Sequence, residues 1–283
     1  MKNKYIEQTM RLVFLAAACV SIAATITICI FLFANGVPAM LKIGLKNFIF
    51  GLKWKPSIDL YGIFPMIIGS ITVTLGALIL GVPLGLFTAV FLARYCPKQL
   101  YNFFESGVKL LAGIPSVVYG FFGLTVIVPA IRNTFGGNGT SILAASIVLA
   151  IMILPTIISV SESSIRAVPS LYFEGSLALG ACKERSIFLV ELKAAKSGIM
   201  AGIILGVGRV VGETMAVIMV AGNQAILPRS LVKGIRTLTA NIVLEMGYAA
   251  DLHRDALIAT SVILFIFILI INLCFSLLKE KKE

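Results

Sequence analysis

The sequence predicts an all-α integral membrane protein of six transmembrane helices, and three observations predict it. Of 283 residues, 59% are hydrophobic and only 13% are charged, against about half and a quarter in an ordinary soluble domain. Mean hydropathy is +1.01. Several apolar stretches are long enough to cross a hydrocarbon core of about 30 Å, which takes about 20 residues of helix.

The six spans run from Leu12 to Ala34, Ile63 to Ala93, Val108 to Ile131, Ser141 to Ser161, Gly198 to Ala221 and Ala256 to Leu278. Lys2, Lys4 and Arg11 precede the first, as they would in a secretory signal. Its apolar stretch is much longer than the roughly 7–15 residues of a signal core, which predicts a retained helix. The larger share of Lys and Arg near span ends falls on the side of the N-terminus, including Lys279, Lys281 and Lys282 of the tail. That bias predicts both termini in the cytosol. Lys42, Lys46, Lys53 and Lys55 lie on the opposite side and weaken the bias.

The net charge of +11 does not point to nucleic acid, because the basic residues are spread between apolar spans rather than gathered on one folded face. The lipid surface is the expected counterion. The five cysteines, Cys19, Cys29, Cys96, Cys182 and Cys274, form no CxxC or Cys/His cluster, so neither a disulfide framework nor a metal site is expected.

Between spans, Arg94 to Gly107 and Arg132 to Thr140 read as short turns, whereas the connection from Glu162 to Ser197 is long. It reads as short amphipathic helices, with Leu171, Leu177, Leu179, Ile187, Phe188 and Leu192 among Arg166, Glu174, Lys183, Glu184, Arg185 and Lys193. Such a segment suits either a docking surface or a helix lying on lipid headgroups. From Asn35 to Gly62, Phe48, Phe50, Trp54 and Tyr61 mix with lysines, as an interfacial segment does.

The fifth span holds charges well inside an apolar stretch: Gly206-Val-Gly208-Arg209-Val-Val-Gly212-Glu213-Thr214. At 1.5 Å per residue Arg209 lies about 16 Å from Gly198, near mid-membrane. An Arg there costs at least about 2.5–3.5 kcal/mol to insert, so it normally faces water or a partner. Arg209 and Glu213, four apart, are expected on one helical face with Gly202, Gly206, Gly212 and Ala216. They either line a path for solute or pair with each other to fix the bundle. The guanidinium fork of Arg209 suits a tetrahedral oxyanion.

Glu162 and Arg166 form a second i, i+4 pair, either a solvated cytosolic pair or a gate. In the third span Gly113-Ile-Pro115-Ser116-Val-Val-Tyr119-Gly120 suggests a broken helix, tolerated at that depth only where protein or a cavity covers the freed backbone. Ser116 and Tyr119 there offer hydroxyls to a pore, with core packing as the alternative. No GxxxxGK[ST] motif is present for binding ATP in the P-loop manner. Gly206-Val-Gly208 misses the last glycine of a dinucleotide fingerprint, and Ser106-Gly-Val-Lys109 lacks the companions of an SxxK enzyme. His253 reads as a solvated loop residue.

Tyr61-Gly-Ile-Phe-Pro65, Gly113-Ile-Pro-Ser-Val-Val-Tyr-Gly-Phe-Phe-Gly-Leu124, Ile153-Leu-Pro155, Ser159-Val-Ser-Glu162, Arg166-Ala-Val-Pro169 and Gly208-Arg-Val-Val-Gly-Glu-Thr-Met-Ala-Val217 occur in order. Together they closely resemble the C-type permease subunit of the phosphate-specific ABC importer. The segment Glu174-Gly-Ser-Leu-Ala-Leu-Gly180 resembles the coupling motif of ABC importers, with its two alanines and later proline replaced; Glu174 and Gly180 carry over.

The resemblance implies a type I importer permease core in spans two to six, with an additional N-terminal helix. It divides the chain into residues 1–64 and a permease domain over 65–283, with a coupling loop at 162–197. It implies a non-catalytic subunit of a bacterial or archaeal cytoplasmic membrane that holds no cofactor, ATP and Mg belonging to its ATPase. Its implied partners are a sister permease, two copies of a cytosolic ABC ATPase and an extracytoplasmic phosphate-binding protein. Arg209 and Glu213 would lie on the path of inorganic phosphate. Permeation of another oxyanion, sulfate or molybdate, is the alternative; an ion-coupled carrier would be expected to show inverted repeats, which the sequence lacks.

Overall fold

The computed structural model describes the backbone of residues 2–280 and the side chains of residue 7 and residues 9–274. The side chains of Lys2, Lys4 and Lys279, and the whole of Lys281 and Lys282, lie outside the described residues. In chain order the helices are α1 (Lys2–Ile43), α2 (Leu45–Phe50), α3 (Phe64–Val90), α4 (Lys98–Gly113), α5 (Ser116–Phe122), α6 (Val128–Phe135) and α7 (Ile142–Arg166). They continue as α8 (Ser170–Ala178), α9 (Lys183–Ser186), α10 (Leu192–Ala194), α11 (Lys196–Gly212), α12 (Met215–Val220), α13 (Leu238–Met246) and α14 (Asp251–Glu280). A hairpin of β1 (Trp54–Lys55) and β2 (Leu60–Tyr61) pairs Trp54 with Tyr61.

The core is a unit of α3, α7 and α11. In a bilayer, lipid is as apolar as leucine, so helices associate through close packing of small residues. A Cβ added at Gly76, Gly81 or Gly85 of α3 would come within 2.3 Å of Ser146, 2.9 Å of Ile153 or 2.8 Å of Ile157 of α7. The matched order makes α3 and α7 parallel. Gly198, Gly202 and Gly206 of α11 meet Ser164, Val160 and Ile157 in reverse order, so α11 runs antiparallel to α7. Leu149, Met152, Ile153 and Ile157 are buried between them.

At the periphery α1 lies along α14, with Gly36 against Val262 and Ala259 and the Phe33 ring edge-on to Phe265 at 6.1 Å. The remaining α1 surface is bare of protein: Leu12, Phe14, Ile22 and Ile30 are all exposed. Element starts follow local chemistry. Pro65 occupies the first turn of α3, where its missing N–H costs nothing. Ser141 caps α7 by accepting from the Ala144 amide at 3.2 Å.

Five helical stretches among the described residues are long and apolar enough to cross a membrane: Thr9–Ile43, Phe64–Tyr95, Ser116–Phe135, Ile142–Arg166 and Asp251–Cys274. The expected span from Gly198 to Ala221 is discontinuous, formed by α11 and α12 on either side of Glu213 and Thr214. The third span starts at Ser116 rather than Val108, because Pro115 lacks the N–H to continue α4 and biases Ile114 to extended backbone. The presumed turn from Arg94 to Gly107 is therefore mostly helix, ordered by the amphipathic pattern of α4.

The expected interfacial segment folds inward. Trp54 and Tyr61 are buried, their rings 5.6 Å apart and perpendicular. A buried carboxylate holds them there: Glu245 accepts from the Trp54 indole N–H at 2.8 Å, from Arg236, and lies 2.8 Å from His253 Nε2. His253, expected to be solvated, is therefore enclosed, 14% exposed at its side chain. Sequence distance concealed this, since Trp54 and Glu245 are 191 residues apart.

Candidate functional site

The break between α11 and α12 positions the charges of the fifth span. Glu213 is extended, with φ −71° and ψ 131°, so it leaves the helical face that Arg209 occupies in the last turn of α11. The two do not share the expected face, and among the described residues no ion pair joins Arg209 to Glu213. The Glu213 carboxylate instead accepts from the Ala216 amide at 3.1 Å, near the start of α12. Its carbonyl, released from helix, accepts from the Thr239 hydroxyl at 3.1 Å. Both bonds satisfy backbone groups that the break exposes, as burial requires.

A small cavity of about 10 Å³ opens at this break, lined by Ser70 and Thr74 of α3, Glu213, Thr237 and Thr239, with Val210 and Val217. It has room for about one water. The Thr237 and Thr239 hydroxyls are 3.1 Å apart, and the Ser70 hydroxyl oxygen accepts from the Leu238 amide at 3.0 Å. These hydroxyls escaped sequence reasoning, since isolated Ser and Thr in apolar helices ordinarily bond to their own backbone. Only the Thr-Leu-Thr run after Arg236 marked them.

The glycines of α11 divide between two faces. Gly202 and Gly206 pack on α7, whereas a Cβ at Gly208 or Gly212 would meet nothing within 4 Å. Ala216, expected on the same face, is buried against Gly120 of α5. Arg209 is half-buried beside the open Gly208.

Tyr119 itself is 5% exposed, and its hydroxyl donates to the Leu111 carbonyl at 2.7 Å, across the Pro115 break. In this conformation that hydroxyl is committed to the break. Ser116, half-buried, begins α5. The structure thus gathers Glu213 with the threonines of the 237–239 segment.

At the end of the bundle carrying residues 162–197, Glu162 and Arg166 do pair, at 2.6 Å, with Glu162 buried. Tyr101 of α4 donates to the same carboxylate oxygen at 2.7 Å, and Arg166 lies 4.3 Å over its ring. The hydrogen bond to Glu162, then burial, pushes the Tyr101 phenol above its usual range. A cavity of about 170 Å³ adjoins them, lined also by Lys109, Ser159 and Ser163. The pair is not a freely solvated one.

The 170–194 segment is helical in short pieces. Gly180 follows α8 with φ +88°, a left-handed conformation that costs any other L-residue about 1 kcal/mol or more. The Gly180 amide bonds the Leu177 carbonyl at 2.9 Å and the Ala181 amide bonds the Ser176 carbonyl at 3.1 Å, which closes α8 as a Schellman turn. Glu174 is exposed on α8. Leu171, Tyr172 and Leu179 are also exposed, Leu179 to 91%, while Ile187 is fully buried beneath the segment.

The chain matches the family described as binding-protein-dependent transport system inner membrane component over residues 81–281. It is 38% identical to the probable ABC transporter permease protein YqgH of Bacillus subtilis (strain 168), across 96% of this chain and 92% of that protein. It is 33% identical to the phosphate transport system permease protein PstC of Mesorhizobium japonicum, across 86% of this chain and 81% of that protein. Among solved structures, an inward-facing MetNI methionine ABC transporter superposes with TM-score 0.59 at 19% identity, covering 81% of this chain and 99% of that one. A bacterial ABC transporter that imports alginate superposes with TM-score 0.60 at 13% identity, covering 94% and 97%. With the discontinuous spans and the short-helix segment, these likenesses establish that the chain is an ABC importer permease subunit of the binding-protein-dependent inner membrane component family.

Proposed function

We propose that this permease carries inorganic phosphate across the cytoplasmic membrane, in a pore shared with a sister permease and opened alternately to either side. The observation that carries the reading is Arg209: a cation inside a membrane-spanning segment, half-buried, beside an open glycine face, with no carboxylate paired to it among the described residues. The likeness to proteins named phosphate transport system permease protein supports phosphate as the cargo.

In this reading phosphate delivered by an extracytoplasmic binding protein meets Arg209. Glu213, held at the break by Ala216 and Thr239, places a negative charge nearby and keeps the anion's hold weak enough to leave, as conduction requires. Ser116 stands at the second break, and the Glu162–Arg166 pair gates the cytosolic end. Two ATPase subunits dock on the 170–194 segment through Glu174 and the exposed leucines. ATP and Mg reside on those subunits, this chain being non-catalytic, and both termini lie in the cytosol.

The test is uptake of labelled phosphate by proteoliposomes holding the assembled transporter. Arg209→Gln is expected to abolish uptake while the ATPase still co-purifies; normal uptake overturns the path assignment. Uptake of labelled sulfate or molybdate by the parent transporter, with none of labelled phosphate, would reassign the cargo.

A further inference from the structure

We infer that Arg94 and Glu191 form the link through which movement of the 170–194 segment is delivered to the membrane-spanning core. This rests on reading that segment as the ATPase dock. Arg94 lies just beyond α3 and Glu191 just before α10. The Arg94 guanidinium meets the Glu191 carboxylate at 2.7 Å, where Glu191 is 1% exposed and Arg94 25%. The same guanidinium nitrogen donates to the Ile165 carbonyl of α7 at 2.9 Å. One side chain therefore ties the segment to both parallel helices of the core.

Two features distinguish this contact from ordinary packing. Each partner sits in a wide π-turn, Phe91–Tyr95 and Ile187–Glu191, a helix defect that re-aims side chains and recurs at functional positions. Further, the pair is singly bonded although a guanidinium and a carboxylate can form two parallel bonds. Arg94 Nε and Glu191 Oε2 are both buried without a hydrogen-bond partner. A second bond is thus open to the pair after a small rotation, so it can persist while the segment shifts.

The apolar seat beneath the segment consists of Ile187, Ala195 and Ile199 on Ala89, Val90 and Ile165. Apolar contacts hold elements together but resist sliding weakly. A buried ion pair is directional, and separating it leaves an uncompensated charge. The segment therefore has an outer face of exposed Leu171, Leu177 and Leu179 for a partner and an inner tether to α3 and α7. Arg94 and Glu191 are positioning residues: they touch no substrate, and they couple one moving part to another.

The experiment uses the assembled transporter in proteoliposomes, with phosphate-loaded binding protein and the parent complex shown to import phosphate. Glu191→Gln keeps the side-chain shape and removes the charge. It is expected to leave ATPase co-purification intact and to lower phosphate imported per ATP hydrolysed about tenfold, within the usual range of coupling between sites. ATP hydrolysis should cease to respond to loaded binding protein. Arg94→Lys, which keeps a charge but not the fork, is expected to retain more coupling than Glu191→Gln. Unchanged import per ATP in Glu191→Gln overturns the proposal, and so does loss of the ATPase in proportion to uptake, which would make the pair a scaffold. Failure of the docking reading shows separately, as undisturbed ATPase assembly in Glu174→Lys.

Discussion

Arg94 and Arg166 cross between α3 and α7, each donating to a carbonyl at the end of the other's helix. Arg166 bonds the Leu92 carbonyl at 2.8 Å, and Arg94 bonds the Ile165 carbonyl at 2.9 Å. Proline shapes both acceptors. The Leu92 carbonyl would pair with the amide five residues on in a π-turn, but that residue is Pro97; the Ile165 carbonyl, denied the amide of Pro169 four residues on, accepts from the Val168 amide at 3.3 Å and keeps a lone pair for Arg94. The two arginines thus close the ends of parallel helices where chain chemistry leaves acceptors open.

Arg166→Gln removes the donor to Leu92 and the partner of Glu162. Since Arg166 is 43% exposed at its side chain, solvent screens part of the loss. The expected destabilisation is about 1–2 kcal/mol, read as a lower thermal midpoint of the detergent-purified subunit. An unchanged midpoint would show the crossing to be energetically idle.

Glu245→Gln should be more damaging. Arg236 donates to this carboxylate, and also to the Asn241 side chain and the Asn223 carbonyl. Removing the charge leaves Arg236 largely buried without its counter-ion, at a cost of about 3 kcal/mol. Increased tryptophan exposure of the single Trp54, measured by fluorescence quenching, should accompany the loss; a quenching profile like the parent's would contradict it.

Gly180→Ala places a Cβ on backbone at φ +88°. The expected cost is about 1–2 kcal/mol, confined to the end of α8. Faster amide exchange at Gly180 and Ala181, with the membrane-spanning core unaffected, is the diagnostic pattern. Unaltered exchange at those amides counts against the Schellman turn as the local lock.

Tyr61 gives a pH dependence. Burial, then its hydrogen bond to Asp59, pushes its phenol up to about 12. Because the folded-state value is raised, its contribution is complete below the ordinary phenol value of about 10 and is lost as pH rises through about 12. Tyr61→Phe is expected to flatten the fall in thermal midpoint across that window. A fall as steep as the parent's would remove Tyr61 from the account.

The spans themselves were legible because a stretch of about 20 apolar residues has few other uses, and the Gly-Ile-Pro run announced the break before Ser116. The shared face of Arg209 and Glu213 does not survive folding, for a physical reason. Spacing of four implies contact only in a continuous helix, and Gly212, followed by a Glu that can bond the Ala216 amide, permits the helix to stop. Likewise His253 and Trp54 carry no local sign of the buried Glu245 that joins them.

The sequence by itself determined that this chain crosses a membrane, roughly where each span lies, and that the connection from Glu162 to Ser197 is long and amphipathic. Those properties follow from composition and period, which act locally. Only the tertiary structure decided which charges meet: Arg94 with Glu191, Arg236 with Glu245, and Arg209 with no carboxylate among the described residues. Such pairings depend on parallel or antiparallel packing and on where prolines and glycines interrupt helices, and a charge in low dielectric takes its partner from whichever element the fold brings near.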